Sequence, residues 1–130
     1  MKRSWVIFAI GFIEVAIGTI ALATEFLRLF SDRLAQPFPV HVFILTTAIT
    51  SLVLGIGIIR RNYTAYKYIV IFSGIIILSK VLAFFQIISI STALAIFINQ
   101  PHINLLSVVY HSCLILYFYR PSMHKEFGAR

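Results

Sequence analysis

Glu14, Lys80 and His111 are the ionisable residues set deepest inside the chain's apolar runs. A charge at the centre of a bilayer costs about 2.5–3.5 kcal/mol on insertion scales, so such groups pair with one another, face water, or carry protons and ligands. Two chemistries follow for this trio. One is a structural ion pair that fixes helix register; the other is a proton or substrate site in which Glu14 is the carrier. Other residues with reactive side chains form weaker constellations. Cys113 lies two residues from His111, which puts the two on different sides of a helix and disfavours a Cys/His nucleophile. His41, His102 and Asp32 are metal-ligand types near one membrane face, but two surface histidines are an ordinary composition, and no metal is expected. No P-loop, HExxH, GxSxG or dinucleotide fingerprint occurs. Neither catalysis nor a cofactor is expected.

The elements that must position these residues are helices in lipid. Of the 130 residues, 60 % are hydrophobic and 12 % charged, against about 25 % charged in a soluble domain. Mean hydropathy is +0.96. A hydrocarbon core of about 30 Å needs roughly 20 helical residues. Four runs meet or approach this, at about 5–26, 40–59, 68–88 and 103–119. None alternates as a barrel strand would, and a helix satisfies its own backbone groups in lipid. The expected fold is all-α: an integral membrane four-helix transmembrane bundle, forming one transmembrane domain over 1–130. Pro37 and Pro39 stand where the second helix starts, a position that tolerates proline. The stretch 89–98 is apolar and open to three readings: an extension of the third helix, an interfacial segment, or a re-entrant one. Lys2-Arg3, the first run and Ala21-Leu22-Ala23 have the outline of a secretory signal. The run is too long for one and Glu14 interrupts it, so the first helix is expected to be retained.

Spacing sorts the helix faces. Gly11, Glu14, Gly18, Ala21 and Glu25 follow a 3-4-3-4 pattern, a small and polar face suited to close packing. Thr47, Ser51 and Gly55 form a similar face on the second run, Ser73 and Lys80 share one on the third, and Asn104, Ser107 and His111 one on the fourth. At 1.5 Å per residue, Glu14 lies roughly 14 Å from Trp5, Lys80 roughly 18 Å from Tyr68 and His111 roughly 12 Å from Tyr119. All three fall near mid-membrane and are expected to form one buried polar cluster.

The flanks set direction. Eight positive residues (Lys2, Arg3, Arg60, Arg61, Lys67, Arg120, Lys125, Arg130) fall on one side of the four runs, and only Arg28 and Arg33 on the other. The positive side is cytoplasmic, so both termini are expected inside. Trp5, Tyr63, Tyr66, Tyr68, Tyr117 and Tyr119 gather at the same face as aromatic anchors, with Arg60, Arg61 and Arg120 beside them. The formal net charge of +7 is therefore a lipid-surface feature. The expected partners are the bilayer and a homo-oligomer or larger membrane complex; nucleic acid is not expected.

Ile13-Glu14-Val15, Ile17-Gly18-Thr19 and Thr24-Glu25-Phe26 resemble the first helix of the small multidrug resistance transporters. Those are four-helix proteins of similar length whose first helix carries a glutamate for protons and cations. The resemblance covers one helix and would give Glu14 that role. The third run departs from it: the Gly- and Trp-containing substrate face is missing, and Lys80 would repel a cationic drug. The Lys-Arg-Ser-Trp start, Arg60-Arg61-Asn62-Tyr63 and the ending Tyr117-Phe118-Tyr119-Arg120-Pro121-Ser122-Met123 with Phe127 resemble a widespread group of small bacterial four-helix membrane proteins. That resemblance implies the bacterial inner membrane and no particular activity. Three functions remain: a non-catalytic packing or accessory subunit, a proton-coupled transporter or channel-like oligomer using Glu14, and a lipid- or quinone-binding protein using the tyrosine-rich interface.

Overall fold

A computed structural model describes residues 2–30, 38–84 and 101–128. Among these residues every regular element is helical: α1 (Lys2–Phe30), α2 (Phe38–Ile59), α3 (Tyr63–Phe84), α4 (Pro101–Phe118) and α5 (Pro121–Gly128). The stretch 89–98 lies outside the described residues. Proline opens or nearly opens three helices, at Pro39, Pro101 and Pro121, where its missing N–H is not needed.

Three of these helices are long and apolar enough to cross a membrane: Trp5–Phe30, His41–Ile59 and Tyr63–Leu82, with mean hydropathies of 2.4, 2.4 and 1.7. The fourth apolar segment, Asn104–Phe118, is shorter. Phe12, Ile20, Leu27, Val53, Leu105 and Leu116 are all exposed. So large an apolar surface suits lipid as the solvent. Five hydroxyls on these helices bond locally. Thr19, Thr24, Thr46, Thr50 and Ser79 each donate to the carbonyl four residues back, at 2.7–2.8 Å. Such back-bonding lets a hydroxyl sit on a lipid-facing helix without an orphaned donor.

The chain divides into two compact units, Met1–Tyr66 and Lys67–Arg130. The first is the α1–α2 hairpin with the opening turn of α3. Its seam is built on glycine. A Cβ placed on Gly11 would lie 2.9 Å from the Gly55 carbonyl oxygen, and one on Gly18 would lie 2.7 Å from that of Ala48. One on Gly55 would lie 2.8 Å from both Gly11 O and Val15 N. The two backbones thus touch at two levels, as small-residue faces permit in lipid. The α2 face differs in one place from the expected Thr47, Ser51, Gly55. Ala48 is the residue against Gly18, while Thr47 is half-buried and donates back to Phe43 O at 2.9 Å.

The turn after α2 is a Schellman cap. Asn62 N donates to Gly57 O at 2.8 Å and Arg61 N to Ile58 O at 2.9 Å. Arg61 takes the left-handed conformation, φ 54°, that glycine usually fills at this point. Asn62 then caps α3, its Oδ1 accepting from Thr64 N at 2.8 Å. Consequently α3 begins at Tyr63, five residues ahead of the expected start, and Tyr63 and Tyr66 are helical. The two rings stack 5.9 Å apart, and Tyr66 is buried instead of standing free as an interface anchor.

In the second unit the core is small: Ile69, Ser73, Leu114, Phe118, Met123 and Phe127. The short α5 lies beyond the fourth apolar run that the sequence marks. Met123 and Phe127 sit four apart on one face and are buried, with the Phe127 ring 6.1 Å from that of Phe118. His124 and Lys125 remain exposed.

Candidate functional site

The first unit positions polar groups at two levels of the hairpin. Residue numbers rise along α1 as those facing them fall along α2, so Gly11 meets Gly55, Glu14 meets Ser51, Gly18 meets Ala48 and Glu25 meets His41. Glu14 is 1 % exposed and Ser51 4 %. The Ser51 hydroxyl is in hydrogen-bond contact with Glu14 Oε2 and lies 3.1 Å from the Glu14 main-chain oxygen. One hydroxyl proton cannot serve both acceptors at full strength. A proton carried by the carboxyl lets both bonds form together, with the carboxyl donating to Ser51 Oγ and the hydroxyl donating to the main chain.

Near the other end of the hairpin, Glu25 is 1 % exposed and contacts two cations or potential cations. Its Oε1 meets His41 Nδ1, and its Oε2 lies 3.7 Å from the half-exposed Arg28 guanidinium. His41 Nε2 is buried with no hydrogen-bond partner among the described residues. The sequence held the signal for this pair. Glu25 is the last member of the 3-4-3-4 stripe, and a hairpin brings the end of its first helix to the start of its second, where His41 lies. Reading His41 as a surface residue beside His102 hid it. Asp32 and the side chain of His102 lie outside what is described, and no group of three metal-ligand side chains occurs among the described residues.

The second unit holds the other two members of the expected cluster, on facing positions of α3 and α4. Lys80 Nζ donates to Asn104 Oδ1 at 2.9 Å. His111 Nδ1 lies 3.3 Å from Ser73 Oγ, and the His111 ring is edge-on to Phe72 and Tyr110. Ser107 is half-buried between these two levels, and Cys113 is exposed. Each expected ionisable residue thus has a neutral polar partner inside its own unit: Ser51, Asn104 and Ser73. All three partners lay on the anticipated packing faces. The Cβ–Cβ reach of facing helices, which spacing on one helix cannot supply, joins them.

The remaining residues of the packing and anchor sets fall as follows. Gly11, Gly18, Gly55, Ser51 and Ser73 are buried, and Ala21 is half-buried. Trp5, Tyr68 and Tyr119 are exposed at 76 %, 57 % and 78 %. Arg60, Arg61 and Arg120 are exposed, and the Arg120 guanidinium lies 6.0 Å over the Tyr117 ring. Compared with known protein families, curated proteins and solved structures, the chain matches none of them.

Proposed function

We propose that this chain is a non-catalytic, multi-pass protein of the bacterial inner membrane that serves as a packing or accessory subunit. In this reading α4 is the fourth span, and both termini are cytoplasmic because the basic residues flank alternate runs on one side. The observation that carries the reading is the Glu14–Ser51 contact in a glycine-lined seam. The most deeply placed carboxyl is fully enclosed between α1 and α2 and serves as an internal pin for the hairpin. Lys80–Asn104 and Ser73–His111 join α3 to α4 in the same manner. The lipid-sized apolar faces outside these seams are then available to bilayer and partner helices.

The runner-up is proton-coupled transport on Glu14, favoured by a carboxyl set deep inside the first apolar run. Glu14→Gln separates the two readings. The amide still bonds to Ser51, so the pin reading expects retained helicity and a stability loss of about 1 kcal/mol, the scale of one exchanged hydrogen bond. Proteoliposomes of the wild-type chain should show no lipophilic-cation uptake under a pH gradient. Gradient-driven uptake by the wild type, lost in Glu14→Gln at an unchanged unfolding midpoint, would establish transport instead.

A further inference from the structure

The apolar stretch of α1 is longer than an ordinary bilayer core. It runs from Trp5 to Phe30, 26 residues. At 1.5 Å per residue that is roughly 38 Å, against a core of about 30 Å. Polar sequence sets both of its ends: Lys2 and Arg3 precede it, and Ser31, Asp32 and Arg33 follow. Measured from Trp5, a core of about 30 Å closes near Glu25. The last turn of α1 is in excess, and its large apolar side chains do not fold inward. Phe26, Leu27, Leu29 and Phe30 are all exposed, and the Phe26 and Phe30 rings lie 5.0 Å apart. Because Glu25 faces His41, the first residue of α2, Phe38, stands at the same end of the hairpin, and it is 78 % exposed. The charges on this stretch are closed on one another. Glu25 is enclosed against His41, with Arg28 at 3.7 Å, and the Arg28 stem lets its guanidinium reach toward headgroups.

Hydrocarbon is a good solvent for this patch and water a poor one. The patch also continues the surface below it. Ile13, Ile20 and Leu27 are spaced by seven, share one face of α1 and are all exposed, so one apolar line runs up the helix into the excess turn. We propose that this end of the hairpin is built for acyl chains, so that the protein takes long-chain phospholipids in preference to short-chain ones. The proposal rests on the reading of α1 as a membrane span. In a thin bilayer the phenylalanine end meets water or the hairpin must tilt, and each ångström of mismatch carries a modest cost. In a thick one the enclosure of Glu25 by His41 and Arg28 keeps the carboxylate paired at hydrocarbon depth.

Quenching of a mid-span tryptophan by brominated phosphatidylcholines tests this in the full-length chain. The reporter is Ile20→Trp, an exposed position, in a Trp5→Phe background that removes the single native tryptophan. Competition between lipids with fourteen-carbon and twenty-two-carbon acyl chains gives their relative affinities. The longer lipid should bind about tenfold more tightly, the small penalty per ångström summed over the excess turn. Leu27→Ser with Phe30→Ser changes two exposed side chains, shortens the apolar stretch and should bring the ratio close to one. Equal affinities in the reporter chain, or an unchanged ratio in the double variant, would overturn the proposal. Equal affinities together with a disulfide-linked dimer of Phe30→Cys, in a Cys113→Ser background, would give the patch to a second copy instead. Quenching by neither lipid would overturn the spanning reading itself, and this proposal with it.

Discussion

Gly18→Leu is expected to pull α1 and α2 apart. A Cβ at position 18 would already lie 2.7 Å from Ala48 O and 2.8 Å from Leu52 N. Both obstacles are backbone atoms of a helix, so no side-chain rotation relieves them. Ordinary overpacking costs about 1–3 kcal/mol, and a leucine driven into a backbone contact belongs at the top of that range, about 3 kcal/mol. Gly18→Ala should cost less and Gly74→Ala is the control, because nothing lies within 4 Å of a Cβ at Gly74. There alanine should be neutral or stabilising by about 0.5–1 kcal/mol through helix propensity. Unfolding midpoints followed by circular dichroism in detergent would order the three. A Gly18→Leu chain as stable as the wild type would mean that the glycine seam is not the contact holding the hairpin.

The second large effect is expected at the far end of the same seam. His41→Leu removes the imidazole from Glu25 and leaves a carboxylate that is 1 % exposed with Arg28 at 3.7 Å as its remaining ionic contact. Deleting one partner of a buried pair costs about 3–5 kcal/mol, because the survivor is charged and uncompensated. The lower end, about 3 kcal/mol, applies here since Arg28 stays and is half-exposed. Adding Glu25→Leu should restore most of the loss, as replacing both members of a buried pair by apolar side chains usually does. A double-mutant cycle by the same midpoints reads this directly. If Glu25→Leu and His41→Leu simply add, the two residues are not coupled.

Both predictions concern a hairpin whose faces were largely legible in the sequence. The 3-4-3-4 stripe from Gly11 to Glu25 and the Ser51–Gly55 spacing named the seam, because periodicity on one helix reports which residues share a face. What spacing could not report is which residue faces which. Depth brings Glu14, Lys80 and His111 to one level, but depth alone does not name the side chain that each one touches within its own unit. The partners found, Ser51, Asn104 and Ser73, are neutral and carry little signal in a search for charges. α3 starts ahead of the apolar run because hydropathy rises only after Lys67, whereas the helix end is set by the Asn62 cap, a local hydrogen bond. The short α5 was missed for a similar reason. Its signature is Pro121 with two apolar residues four apart, too brief for a hydropathy window but enough to seat Met123 and Phe127 on the core.

The central claim is a chain that crosses the membrane repeatedly with its basic loops inside. Single cysteines at positions 4, 31, 62, 100 and 122, each in a Cys113→Ser background, test it in intact bacterial cells with a membrane-impermeant maleimide. Labelling of Ser31→Cys and Gln100→Cys from outside, with Ser4→Cys, Asn62→Cys and Ser122→Cys reacting only after the cells are opened, is the predicted result. External labelling of Asn62→Cys, or of one terminal position without the other, would contradict it.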